Sequence, residues 1–218
     1  LRLLCFWPIF FLVFTYAEKF FPAAHYFSMH CRLDDLIPFC EWFVIPYVIW
    51  FPFVGSMVFY TLLRDAAAFR RLMRFIILSY SAALLVFFLF PTCQYLRPAL
   101  LFRGNPLVRL VASIYANDTN TNVCPSIHVF NSVTLALAYH HCARLRGRKW
   151  LWVRVSADLL CVSIILSTML LKQHSVIDVM GGIILALTLD AVADAVALRT
   201  APSVAYRHNH HHALPERS

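Results

Sequence analysis

Two stretches of this sequence gather the side chains with chemical potential. Residues 117–128 read NDTNTNVCPSIH and residues 167–178 read STMLLKQHSVID. In the second stretch His174 and Asp178 are four apart, a spacing that puts both on one face of a helix. The carboxylate can then accept a hydrogen bond from one imidazole nitrogen, fix the tautomer and leave the other nitrogen free to attack an electrophile. His128, from a different segment, is placed to give and take a proton. Each residue has a plainer reading: a lone histidine at a membrane surface is commonly a satisfied polar group, and an isolated HxxxD pair is commonly a helix contact. Two histidines, an aspartate and several cations gathered on one side favour function, because ionisable groups at membrane depth are expensive.

The elements that must position these groups are helices in a membrane. The chain is 61% hydrophobic and 14% charged, with a mean hydropathy of +0.67, far from the balance of a soluble domain. An all-α polytopic membrane protein is expected, a bundle of six spans at 3–17, 42–63, 72–90, 127–143, 150–171 and 177–198. His128 lies at the start of the fourth span and His174 just before the sixth, so both histidines share one depth. Residues 1–198 form the membrane domain, and 199–218 a cytoplasmic tail whose RHNHHH run at 207–212 reads as a solvated, disordered end rather than a metal site. Leu1 is not methionine, so the numbering is expected to start inside a longer natural chain or after a trimmed segment. A signal-peptide reading of the first apolar stretch is opposed by Glu18, Lys19 and aromatics where a small-residue cleavage site belongs.

The net charge of +8 forms no basic stripe, so nucleic acid is not expected as a partner. Arg2, Arg64, Arg70, Arg71, Arg74, Arg144, Arg146, Arg148, Lys149, Arg154, Arg199, Arg207 and Arg217 are 13 of the 19 basic residues, and all fall on one side of the six-span layout. The positive-inside rule makes that side cytoplasmic, with both termini there and the connections at 18–41, 91–126 and 172–176 outside. The seven cysteines show neither CxxC pairs nor zinc-ligand spacing. Cys93 and Cys124 flank the outer loops without implying a disulfide. Asp158 follows Arg154 by four, which predicts a pair within one helix. Pro46 and Pro52 are read as tolerated kinks.

PSIH at 125–128 and HSVID at 174–178 resemble the second and third signatures of the type-2 phosphatidic acid phosphatase superfamily, P-S-x-H and S-R-x5-H-x3-D. The first signature, K-x6-R-P, is matched in its second half by Arg97 and Pro98, with Phe90 where the lysine belongs. In the third, Ser167 is present and Thr168 replaces the arginine. The resemblance implies His174 as nucleophile, Asp178 as its orienting carboxylate, His128 as acid and base, and Ser126 and Arg97 as phosphate ligands. It implies a metal-independent membrane enzyme without cofactor, which hydrolyses a lipid phosphomonoester or diphosphate at the outer face through a phosphohistidine. The departures also resemble relatives that transfer lipid head groups, such as inositol phosphorylceramide and sphingomyelin synthases. A catalytically inactive lipid-binding or transport protein is the remaining alternative. Lys172 and Arg103 are the nearby cations expected to replace the two that are missing, and the expected partners are a lipid phosphate and membrane lipids.

Overall fold

The computed structural model describes residues 2–20, 23, 25–99 and 104–200. Arg103 and the tail beyond residue 200 lie outside them. The chain forms helices α1 (Phe6–Lys19), α2 (Arg32–Leu36), α3 (Val44–Arg64), α4 (Ala66–Leu89), α5 (Pro106–Asn117), α6 (Ile127–His141), α7 (Leu151–Leu170) and α8 (Val176–Thr200). A short parallel pairing joins β1 (Phe27–Ser28) to β2 (Thr92–Cys93).

Among the described residues, four segments are long and apolar enough to cross a membrane: Glu41–Arg64, Ala66–Leu89, Arg148–Leu170 and Val176–Ala195. The other two expected spans form helices, but α1 has 14 residues and α6 has 15. At 1.5 Å per residue these reach about 21–22 Å, short of the roughly 30 Å hydrocarbon layer. Helix α4 begins six residues before its expected start because Asp65 caps it, accepting from the Ala67 and Ala68 amides. Such a cap satisfies orphan amides and is worth about 1 kcal/mol.

Short α6 is the hub, packing against α3, α4, α7 and α8. Its Phe130 and Leu135 are fully enclosed, and Asn131 Nδ2 donates to the Tyr80 hydroxyl of α4 at 2.8 Å. That bond satisfies two polar groups that burial would otherwise penalise. Helix α1 leans on the same Tyr80 through Phe6, Trp7 and Phe10, with ring centroids 6.3, 5.5 and 4.6 Å away. Edge-on aromatic contacts of this kind add to the burial of the rings themselves.

The end of the bundle reached by the C-termini of α3 and α6 is basic. There Arg71 pairs with Asp194, and His141 Nδ1 lies 3.6 Å from Asp190. The expected pairing of Arg154 with Asp158 is corrected. Arg154 donates instead to the carbonyls of Leu145 and Gly147 in the turn after α6. Asp158 is bound by His140 at 2.9 Å.

Close approach of α8 to the start of α6 depends on one missing side chain. A Cβ at Gly182 would lie 2.9 Å from the Ser126 carbonyl oxygen and 3.0 Å from Val129 Cβ. The first neighbour is backbone and has little room to give. At Gly181 a Cβ would meet the Cys124 sulfur at 3.2 Å, a lesser intrusion. Gly182→Ala is therefore expected to destabilise by about 1–3 kcal/mol and to lower turnover by separating the two histidine-bearing segments, with Gly181→Ala milder. Thermal unfolding in detergent checks the order; equal melting points for the two variants contradict it.

Candidate active site

His174 precedes α8 rather than lying on it. Helix α7 ends at Leu170, and the amides of Gln173 and His174 fold back onto the Thr168 carbonyl at 2.9 and 3.1 Å. Lys172 takes the left-handed conformation, φ 53°, to make that turn. Ser175 and Asp178 then form a reciprocal cap on α8: the Ser175 amide donates to Asp178 Oδ2 at 2.9 Å, and the Ile177 amide donates to Ser175 Oγ at 3.2 Å. A Ser-x-x-Asp sequence commonly makes this cap. The carboxylate faces His174 Nδ1 at 3.5 Å and is wholly enclosed. The two side chains thus approach across a helix start instead of along a helix face, and Nδ1 makes no hydrogen bond at that distance. This approach leaves His174 Nε2 as the free nitrogen.

The second histidine arrives from α6. Ser126 caps that helix through its Oγ, which accepts from the Val129 amide at 3.4 Å, while its own amide donates to the Asp178 carbonyl at 3.2 Å. His128, the second residue of α6, is flanked by Tyr47 and Trp50 of α3 at ring-centroid distances of 4.6 and 4.3 Å. Its ring centroid lies 6.1 Å from that of His174. Both imidazoles line a cavity of about 600 Å³ whose far wall is aromatic, from Trp7, Phe10, Phe11 and Phe14 of α1 to Phe51 of α3. Polar groups line the other wall: Asn117, Asp118, Thr119, Asn122 and Gln173.

The structure brings together His174, Asp178 and His128. It does not bring the expected phosphate ligands to the cavity. Arg97 Nη1 donates to the Tyr115 and Asp118 carbonyls at 3.2 and 2.9 Å, and Nη2 to the Thr119 carbonyl at 2.8 Å and Gln173 Oε1 at 2.6 Å. Its guanidinium also lies 4.6 Å over the Tyr115 ring. Lys172 Nζ donates to the Asp34 carbonyl at 2.7 Å. Ser126 is fully buried as a helix cap. Thr168, where the resemblance leads one to expect arginine, is also enclosed, its hydroxyl given to the Ile165 carbonyl. Arg103 lies outside the described residues.

Three contributors were not read from the sequence. Gln173 is 2% exposed; its Oε1 is taken by Arg97 and its Nε2 has no partner. Asp118 ends α5 and is hydrogen-bonded by Tyr47; burial holds its carboxyl above the usual range, while His174 and Arg97 pull it down. Asp34 reaches α8 from α2, accepting from the Val176 amide at 2.8 Å, Ser175 Oγ at 2.7 Å and the Cys31 amide at 2.8 Å. Of these, Asp118 stood inside the quoted 117–128 stretch, so its chemistry was visible there. Nothing in the sequence ties Asp34 to a helix some 140 residues later.

Among the described residues, the metal-ligand grouping is His141, Asp190 and Asp194 at the opposite end of the bundle. Arg71 already sits against both carboxylates. His128, His174 and Asp178 belong to no such group.

A family model described as the PAP2 superfamily matches residues 71–197, more than half of the chain, and the chain belongs to that superfamily. The match spans Arg97, His128, His174 and Asp178 and leaves α1, α2 and α3 outside it. No curated protein matches the chain, and no solved structure does.

Asp34 yields a pH test of how α8 is anchored. Burial by itself raises this carboxyl, but hydrogen bonds from Ser175, Val176 and Cys31 outweigh it and hold the pKa below the ordinary 3.8. A carboxylate depressed on folding adds stability above its unfolded pKa and loses it as pH falls through the folded one. Asp34→Asn, which turns one acceptor into a donor facing donors, is expected to destabilise by about 1–3 kcal/mol at pH 7. The gap to the unaltered protein should narrow as pH falls below about 4. Thermal unfolding across pH 3–7 checks this; a gap that is absent at pH 7, or that widens toward acid, contradicts it.

Proposed function

We propose that this member of a superfamily of phosphatases and phosphotransferases is an integral membrane enzyme that moves a phosphoryl group from a lipid phosphate ester through covalent attachment to His174. The observation that carries the reading is a histidine whose Nδ1 faces a buried carboxylate at 3.5 Å, with a second histidine 6.1 Å away across the end of an apolar cavity. That separation leaves room for a phosphorus atom between the two rings.

In the reaction, His174 Nε2 attacks phosphorus in line with the departing lipid oxygen. The Asp178 carboxylate stabilises the positive charge that develops on the ring. His128, as imidazolium, gives its proton to the lipid oxygen and becomes the neutral base that activates the incoming hydroxyl. Water as acceptor makes the reaction a hydrolysis, and an alcohol makes it a transfer. Nucleophile, orienting group and proton carrier are all side chains, so no metal or cofactor is assigned a step.

The cavity's aromatic wall suits the apolar chains of a lipid. The six-span arrangement and an outward-facing site remain part of the proposal. They are supported by the basic residues gathered at the end opposite the histidines, which the positive-inside rule assigns to the cytoplasm. The phosphomonoester or diphosphate substrate expected from the resemblance would carry up to two negative charges or more. It would meet no lysine or arginine on the described cavity wall.

Purified protein in lipid nanodiscs should cleave at least one member of a panel of lipid phosphate esters. His174→Ala should lower that turnover by about 10⁴-fold or more, since no other group takes the covalent role, while its melting temperature stays near that of the unaltered protein. Full turnover by folded His174→Ala would overturn the reading.

A further inference from the structure

The charge lining the cavity has a sign, and it is negative. Of the described residues on its wall, Asp118 is the one with a side chain formally charged at neutral pH; the rest are aromatic, aliphatic, amide, hydroxyl or imidazole groups. Among the described residues, two of the expected phosphate ligands are spent elsewhere, Arg97 on three backbone carbonyls and Gln173 Oε1, and Lys172 on the Asp34 carbonyl. A phosphomonoester dianion beside this carboxylate would be repelled without a matching positive charge. A phosphodiester carries a single negative charge, and a cationic head group brings its own neutralisation.

The neutral polar groups fit such a substrate. By holding Gln173 Oε1, Arg97 fixes which end of that amide is the donor, and the buried Nε2 is left without a partner beside His174. An unpaired buried donor is costly unless something fills it. A phosphoryl oxygen of a group bound at His174 Nε2 would do so. Asp118 is fixed on the same wall, its backbone carbonyl held by Arg97 and its carboxylate by the Tyr47 hydroxyl. Tyr47, stacked on His128, and Trp50, tilted against it, add aromatic rings to the same cavity, and ring faces attract ammonium groups.

We propose that the site takes a lipid phosphodiester with a cationic, amine-bearing head group, Gln173 Nε2 donating to the phosphoryl oxygen and Asp118 standing opposite the head-group cation. The inference rests on the covalent role of His174 proposed above. His174 Nε2 forms a bond to phosphorus as the bond from phosphorus to the lipid-side oxygen breaks, and the His128 proton goes to that oxygen. The lipid leaves as an alcohol, and the phosphorylated head group stays on His174. Water or an alcohol then gives its proton to His128, its oxygen bonds to phosphorus, and the phosphorus–nitrogen bond breaks. Arg97 acts in this scheme as a positioning residue through Gln173.

The test uses the full chain in nanodiscs with phosphatidylethanolamine, phosphatidylcholine, phosphatidylglycerol or phosphatidic acid as donor, with and without a long-chain alcohol, reading diacylglycerol release. At least one of the two amine-bearing donors is expected to exceed both phosphatidylglycerol and phosphatidic acid in kcat/KM. Asp118→Asn should cut the ratio of that donor to phosphatidylglycerol by about tenfold, the worth of one charge-assisted contact. Because both donors are measured on one preparation, partial loss of folding cannot produce that change. Gln173→Leu should lower turnover on every diester, whereas Gln173→Glu, which places a carboxylate near the phosphate, should lower it further. Preference for phosphatidic acid or phosphatidylglycerol, or a ratio unchanged in Asp118→Asn, overturns this inference and leaves the role of His174 standing. Diacylglycerol release that persists in folded His174→Ala instead overturns the reading beneath it.

Discussion

The carboxylate of Asp178 is the point on which the arrangement of the site depends. It has no solvent exposure, and a charge so placed must be compensated by neighbours. Its Oδ2 accepts from the Ser175 amide and faces His174 Nδ1, while its backbone carbonyl accepts from the Ser126 amide at the start of α6. One residue therefore caps α8, faces the His174 imidazole and ties the segment carrying His128 to the segment carrying His174. The N-terminal end of α8 adds its own positive partial charge, which favours a carboxylate in the first turn. Gly182 one turn later allows the approach that these bonds need.

Around this centre the outer layer clamps the turn that presents His174. Gln94 Nε2 donates to the Lys172 and Gln173 carbonyls, the Tyr115 hydroxyl to the Leu171 carbonyl, and Lys172 Nζ to Asp34. Arg97 closes the set by joining the 115–119 backbone to the Gln173 side chain. Buried polar networks of this kind hold geometry only when their members are satisfied. Gln173 Nε2 is a member left open, on a residue that lines the cavity. The cations that sequence patterns mark as phosphate ligands are here part of the scaffold, one step removed from the cavity.

Helical architecture and the nearness of His128, His174 and Asp178 were legible in the sequence because each rests on local spacing. Apolar runs predicted α3, α4, α7 and α8 to within a few residues at most ends, and the HxxxD spacing predicted contact between His174 and Asp178. The start of α4 was missed because Asp65 caps it within a run of arginines that reads as loop. Helix α5 was missed although Asn105 followed by Pro106 is a start signal, and the Asn105 side chain does cap it, accepting from the Val108 amide. Where Arg97 and Lys172 point could not be read at all. Both bind backbone carbonyls from segments distant in sequence, and a carbonyl leaves no trace in residue identity. The same limit hid Asp34, whose partners at Ser175 and Val176 include a main-chain amide.

A covalent bond to His174 is the claim from which the rest of the chemistry follows, and it can be observed directly. Removing the proton carrier with His128→Ala should slow breakdown of the intermediate when the donor has a leaving group good enough to depart unprotonated, such as a nitrophenyl phosphate ester. Mass spectrometry of the peptide containing His174, taken at neutral or alkaline pH within the first turnovers, should then show the mass of the transferred phosphoryl group. The adduct should sit on His174 and be lost on mild acid treatment, as expected of a phosphorus–nitrogen bond. Donor consumed by the variant with His174 unmodified, or with the adduct on another residue, would contradict the account.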